Sequence, residues 1–160
     1  MSITAADIMT RDVATVAPTT RVDAIARLLA ERRVSALPVC DAEGHLVGIV
    51  SEGDILRPLR ESLRSKRAAW LLALAEGDAL APEFLDYLGA DRRSAADIMV
   101  RHVVSAEEDA TLPQMAELML RFNVKRLPIM RGAALVGIVS RADLVRALSR
   151  APHGEWAGTA

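Results

Sequence analysis

The chain has 160 residues, 51% hydrophobic and 26% charged, with a formal net charge of −1, which suits one compact soluble domain or two small halves sharing a core. This balance gives no basic field for nucleic acid or an anionic membrane. The longest apolar stretches, such as Ala68 to Ala75, fall well short of the roughly 20 residues a spanning helix needs.

Asp7 and Arg11 interrupt the N-terminus early, so no secretory signal pattern is expected there. A single cysteine, Cys40, excludes an internal disulfide and fits a reducing cytoplasm. It stands at the end of an apolar run and reads as a small hydrophobe at the core edge. His45, His102 and His153 are scattered without ligand spacing, so no metal site is expected.

In chain order, Ala5-Ala6-Asp7-Ile8-Met9 comes first, and it recurs letter for letter as Ala95-Ala96-Asp97-Ile98-Met99, an offset of 90. Val13, Ala26, Leu28, Val34, Leu37 and Pro38 repeat at the same offset. A one-residue contraction then makes it 89, so that Leu46 to Ser51 matches Leu135 to Ser140 and Asp54 matches Asp143. Such self-similarity implies two copies of one structural unit, with a ligand near the seam between them.

Each copy reads strand, helix, strand, strand, helix. Val13 to Val16 is a short strand ended by Pro18. Thr20 and Asp23 have capping-box spacing, and Val22, Ile25, Ala26 and Leu29 give one apolar helical stripe. Leu37 to Val39 is a short strand, Asp41-Ala42-Glu43-Gly44 a turn, and Leu46 to Val50 a buried strand. Ser51 caps the next helix with Asp54 in the capping-box position. In the second copy Leu112, Met115, Ala116 and Met119 form the stripe, and Arg131-Gly132-Ala133 is the shortened hairpin.

Between the copies lies an insertion that neither explains. Its two helical segments carry Trp70, Phe84 and Tyr87, most of the aromatics in an aromatic-poor chain. They suit a helical hairpin covering its own module, or else a partner or dimer surface. Residues 151–160 have no periodicity and are expected to be frayed.

The strand-to-helix junctions carry the chemistry. Gly48-Ile49-Val50-Ser51-Glu52-Gly53-Asp54 and Gly137-Ile138-Val139-Ser140-Arg141-Ala142-Asp143 each deliver a serine to a helix N-terminus with a carboxylate one turn inside. Free N–H groups and a partial positive charge suit phosphate there, and the carboxylate can accept from vicinal ribose hydroxyls. A single such element reads as a plain helix cap, because such caps are common. Duplication, each time with a Val-x-x-Leu-Pro segment upstream, favours a ligand.

These elements resemble the CBS domain, and the pair resembles the Bateman module that binds adenosine-containing ligands. The carrying residues are the Ala-Asp-Ile-Met phrases, Val34-Ser35-Ala36-Leu37-Pro38-Val39, Val124-Lys125-Arg126-Leu127-Pro128-Ile129, and the two Gly-x-x-Ser-x-x-Asp elements. The resemblance implies an α/β fold of two β-α-β-β-α repeats, 3–60 and 94–150, packed as a pseudo-twofold pair. A helical insertion at 61–93 and a tail at 151–160 complete the chain. The insertion is similar to the linker of bacterial two-CBS proteins that carry a C-terminal BON domain, although no such domain follows Arg150.

By the same resemblance Asp54 and Asp143 hold ribose hydroxyls, and Ser51 and Ser140 meet ribose or phosphate. Ala36 and Arg126, two residues before Pro38 and Pro128, read the adenine edge, while Thr15 and Ser105 line the base pocket from the first strand. Ser35, Lys125 and Arg141 join the set as neighbours of these positions. At Ser35, Ala36 and Glu52 the first copy carries −1, whereas Lys125, Arg126 and Arg141 carry +3, so unequal sites are expected.

The expected function is a cytoplasmic, non-catalytic regulatory module that senses AMP, ADP or ATP between its repeats, with S-adenosylmethionine and NAD also open. It would form a homodimer and signal to a target protein that the sequence does not name. The alternative is a protein-interaction scaffold built on the insertion, with empty nucleotide sites.

Overall fold

The computed structural model describes residues 2–62 and 91–150, with side chains for all of these except 58–62. The helices expected around Trp70, Phe84 and Tyr87 and the tail at 151–160 lie outside the described residues. In chain order the elements are α1 (Ala5–Ile8), α2 (Val22–Arg32), β1 (Ala36–Cys40), β2 (Leu46–Ser51), α3 (Glu52–Ser62) and α4 (Ala95–Ile98), followed by β3 (Ala106–Glu107), α5 (Leu112–Arg121), β4 (Arg126–Arg131), β5 (Ala134–Ser140) and α6 (Arg141–Arg150). No described helix is long and apolar enough to cross a membrane.

The chain forms two compact units that do not follow the order of the repeats. One is Ala14–His102; the other joins Met1–Val13 to Val103–Ala160. The duplicated phrase causes this exchange, since α1 packs with the strands of the second copy and α4 with those of the first.

In the unit Ala14–His102, β1 and β2 form an antiparallel hairpin with Leu37 opposite Val50 and a bulge at Val39/Cys40. Val16 adds a parallel bridge to Val39 on one edge, and Val100 an antiparallel bridge to Ile49 on the other. The apolar stripe of α2 (Val22, Ile25, Ala26 and Leu29) is buried against Leu37, Val39 and Val50, with Ala95 and Ile98 of α4 closing the cluster. The helix ends with Arg33 at φ 52 while Val34 N–H donates to the Leu29 carbonyl at 3.1 Å, a left-handed cap in a non-glycine residue.

The second unit repeats this plan with a longer sheet, in the order β3-β4-β5, parallel then antiparallel. Thr10 pairs with the free edge of β5 through two hydrogen bonds of 3.0 Å to and from Ile138. Leu112, Met115 and Met119 of α5 are buried with Leu127, Ile129 and Val139, and Ala5 and Met9 of the exchanged segment complete that core.

Close approach of the segment to β5 explains the glycine in the strand. A Cβ on Gly137 would collide with the Met9 side chain from Cβ to Sδ, and one on Gly48 would collide with the side chain of Met99. Each short helix opens on a capping box. Thr4 N–H and Oγ–H donate to Asp7 Oδ2 at 2.8 and 2.9 Å, and Ser94 N–H and Oγ–H to Asp97 Oδ2 at 2.7 and 3.0 Å. Arg11 and Arg101 close the other ends by donating to the carbonyls of Ala6 and Ala96 at 2.8 and 2.9 Å.

Two local expectations need correction. The capping box read at Thr20–Asp23 is absent, because α2 starts at Val22 behind an Arg21 cap, which leaves Asp23 one position too early. The Thr20 hydroxyl instead accepts from Ala17 N–H at 3.0 Å, and Asp23 Oδ1 is buried without a hydrogen bond. In the second copy a box does form one position later, where Thr111 matches Arg21: Thr111 N–H and Oγ–H donate to Gln114 at 2.9 and 3.2 Å. The strand read at Val13–Val16 is a single bridge at Val16, and its counterpart is the two-residue β3, so Thr15 and Ser105 precede the ladder rather than lie on it.

Candidate functional site

The two hairpins gather most of the residues singled out in the sequence at one end of each sheet. Register places Ala36 opposite Ser51, and Ser35 accepts from Glu52 N–H at 3.0 Å, so the start of β1 touches the β2–α3 junction. In the other unit Arg126 lies opposite Ser140 and Lys125 accepts from Arg141 N–H at 2.9 Å. Thr15 and Ser105 are exposed, and the parallel pairings of Val16 with Val39 and Ala106 with Ile129 bring them level with Pro38 and Pro128. Both prolines are buried in the strands, and the Pro38 carbonyl accepts from Val16 N–H at 3.1 Å.

Each aspartate serves its own helix first. Asp54 Oδ2 accepts from Ser51 N–H at 2.8 Å and from Ser51 Oγ–H at 3.0 Å; Asp143 Oδ2 accepts from Ser140 N–H and Oγ–H, both at 2.8 Å. Asp143 N–H returns a bond to Ser140 Oγ at 3.3 Å. The second pair is thus a reciprocal cap, and in both copies the serine bonds fix the carboxylate at the helix N-terminus.

The remaining oxygens point elsewhere. Asp54 Oδ1 takes Arg57 Nη2 at 2.6 Å, and Asp143 Oδ1 takes Arg146 Nη1 at 3.0 Å. Asp54 is 5% exposed, the only buried charged residue among those described, and the Asp143 side chain is 17% exposed. A carboxylate offers about four acceptor positions. With three in use, each keeps one on Oδ1, and the serine hydroxyl keeps acceptor capacity beside it.

The surrounding charges differ between copies, and the structure refines where they act. Arg141 Nε donates to the Val124 carbonyl at 3.2 Å, which holds that guanidinium against the entry to β4. Lys125 is exposed and Arg126 half-buried at the same junction. Ser35, Ala36 and Glu52 occupy the matching places in the first copy.

The sequence reading assigned neither Arg57 nor Arg146 to the site. Their signal was available, since they match at the offset of 89 and follow each aspartate at i+3, the spacing of neighbours on a helix face.

Away from the junctions, Asp41, Glu43 and His45 gather in the β1–β2 turn with ligand atoms within 4.8 Å of one another. Asp41 Oδ1 accepts from Glu43 and His45 N–H at 3.0 and 2.8 Å, and these bonds, above all that from His45, lower the Asp41 pKa. They are the bonds of a tight turn. Cys40, half-buried beside it, has its thiol pKa pushed up by burial and secondarily by the Asp41 charge.

Comparison with known proteins recognises both repeats. The profile of the CBS domain fits twice, at residues 5–61 and 95–150. The chain is 35% identical over 150 residues to the Methanocaldococcus jannaschii protein MJ1426, covering 89% of each. It is 30% identical over 156 residues to chloroplastic CBSX1 of Arabidopsis thaliana, spanning 90% of this chain but only 63% of that one. The crystal structure of CBSX2 in complex with AMP superposes with a TM-score of 0.66 at 28% identity, covering 91% of this chain and 96% of that one. With two matched copies over more than half its length, the chain belongs to the CBS-domain family.

Proposed function

We propose that this chain is a non-catalytic regulatory module that binds an adenosine nucleotide of the AMP, ADP or ATP class at Ser51–Asp54 and Ser140–Asp143. The carrying observation is the duplicated junction, where a strand delivers a serine and a mostly buried aspartate to a helix N-terminus with one carboxylate acceptor still open. One ribose hydroxyl donates to Oδ1 and its neighbour to the serine oxygen, while helix N–H groups face anionic oxygens. The complex of the related CBSX2 with AMP supports this class of ligand.

The sites are unequal. Lys125, Arg126 and Arg141 surround the second junction where Ser35, Ala36 and Glu52 surround the first, so the Asp143 site takes the more phosphorylated ligand. Binding is passed to a partner protein by a homodimer of the chain.

Calorimetric titration of AMP, ADP, ATP, S-adenosylmethionine and NAD into the full chain tests this. Asp54→Asn and Asp143→Asn should each weaken one site by about 1.5–3 kcal/mol, the worth of a charge-assisted hydrogen bond. Added salt should weaken the Asp143 site more steeply. No heat with any of the five compounds would refute the function. Equal salt slopes at both sites would refute the asymmetry.

A further inference from the structure

The two arginines on the aspartates have no part in the capping boxes, and they survive where their neighbours diverge. Between the copies Glu52 becomes Arg141, Gly53 becomes Ala142 and Leu56 becomes Val145, yet Arg57 and Arg146 are the same residue. Each reaches from solvent to the one carboxylate oxygen that the helix cap leaves over. Their side chains are 64% and 60% exposed, while the carboxylates they touch are mostly buried.

An exposed pair of this kind adds little to a helix. Its chemistry suits another task. A guanidinium has five N–H donors in a planar fork, and the contact to Oδ1 uses one nitrogen of it and ties the fork to the carboxylate. In a ribose the 5′ carbon hangs on C4′, next to C3′, so a ribose whose hydroxyls sit on Oδ1 and the serine oxygen has its 5′ substituent only a few bonds from this fork. A phosphate there meets a bidentate cation already anchored, with part of its ordering entropy lost in advance.

Building on the proposed nucleotide site, we infer that Arg57 and Arg146 are its specificity-determining residues, each binding the 5′-phosphate of the nucleotide held by its own aspartate. They make both sites select AMP over adenosine, independently of the charge difference at Lys125, Arg126 and Arg141.

AMP and adenosine titrated into the full chain and into Arg57→Ala, Arg146→Ala and the double variant test this assignment. The parent should prefer AMP. Each single variant should lose about tenfold in AMP affinity at one site, the scale of one charge-assisted contact, while adenosine binding changes by less than about twofold. The double variant should lose the preference. Arg57→Lys and Arg146→Lys, which keep the charge without the fork, should fall between.

AMP and adenosine weakening in parallel would reduce the arginines to props for the aspartates and overturn the inference. Tighter adenosine with unchanged AMP would make them competitors of ribose, and no change in either would make them surface pairs. Both results overturn it. A parent that binds neither these two nor ADP, ATP, S-adenosylmethionine or NAD defeats the proposed function along with it, whereas a parent that binds another of those compounds but not AMP, or that binds AMP with variants of unaltered preference, defeats the arginine role alone.

Discussion

The tightest test of the exchanged segments is Gly137→Ala. A methyl group there would overlap Sδ and Cγ of Met9 and approach its Cβ at 3.0 Å, so rotating the methionine cannot fully clear it. Met9 must leave its buried place beside Leu127 and Val139, or β5 must move. Overpacking of this kind costs about 1–3 kcal/mol. Since Met9 also surrenders part of its buried area, we expect about 2 kcal/mol. Met9→Ala alone should cost about 2–5 kcal/mol through the cavity it leaves. In the double variant the new methyl enters that cavity free of the Sδ and Cγ overlaps and meets only the Cβ of residue 9, so the two losses should fall short of their sum by about 1–2 kcal/mol. Urea unfolding at constant m gives the four stabilities. Hydrogen exchange at Thr10 and Ile138, which bond to each other, localises the effect. Additivity within about 0.5 kcal/mol would show that Met9 does not occupy the space over Gly137.

Three further outcomes follow from local features. Arg33 holds φ 52 at the end of α2, so Arg33→Gly should relieve the left-handed strain and raise stability by about 0.5–1 kcal/mol in thermal unfolding; a loss would contradict the cap. Asp7, Asp97 and Glu108 have pKa values lowered by hydrogen bonds, first from Thr4 N–H, Ser94 N–H and Arg131 respectively. A lowered folded pKa gives stability that is present above the unfolded value, about 4, and lost as pH falls through the folded one. The fall in stability on acidification below pH 4 should therefore be shallower in Asp7→Asn and Asp97→Asn than in the parent, and unchanged steepness would refute it. The raised thiol pKa of Cys40 means little thiolate at neutral pH, so a maleimide should label it more slowly than a free thiol in the native chain and at ordinary rates in urea.

Much of this was legible because periodicity and burial are local. The stripe Val22, Ile25, Ala26 and Leu29 is buried as its spacing requires, and the Ser51–Asp54 cap forms as written. Thr20–Asp23 has the same spacing and fails, because the helix begins one residue later and a neighbouring N–H takes the hydroxyl. Capping chemistry names candidates, but the start of the helix selects among them. The destination of the duplicated phrase was illegible for a different reason. With Ala5–Met9 and Ala95–Met99 identical, either could fill either recess, and no local preference distinguishes the two. The arginines were left out of the site because a basic residue on an exposed helix face usually only meets solvent.

The exchange ties each junction to the opposite end of the sequence. Ala5 and Met9 belong to the core beneath Ser140–Asp143, and Ala95 and Ile98 to the core beneath Ser51–Asp54. Neither repeat, cut out alone, carries the segment that its unit uses, so the conventional boundary between repeats is not a boundary of stability. Deleting residues 1–10 tests this directly, because it removes no residue of the unit Ala14–His102. It empties the Met9 and Ala5 positions and bares the β5 edge at Ile138. Met9 alone accounts for about 2–5 kcal/mol, against a total stability of about 5–15 kcal/mol for a domain. Protection from hydrogen exchange should therefore collapse at Ile138 while it persists at Ile49 and Val100, and nucleotide binding should be lost at the Asp143 site, far along the chain from the deletion, before the Asp54 site. The opposite pattern, with Ile49 exposed and Ile138 protected, would mean that each phrase serves its own repeat.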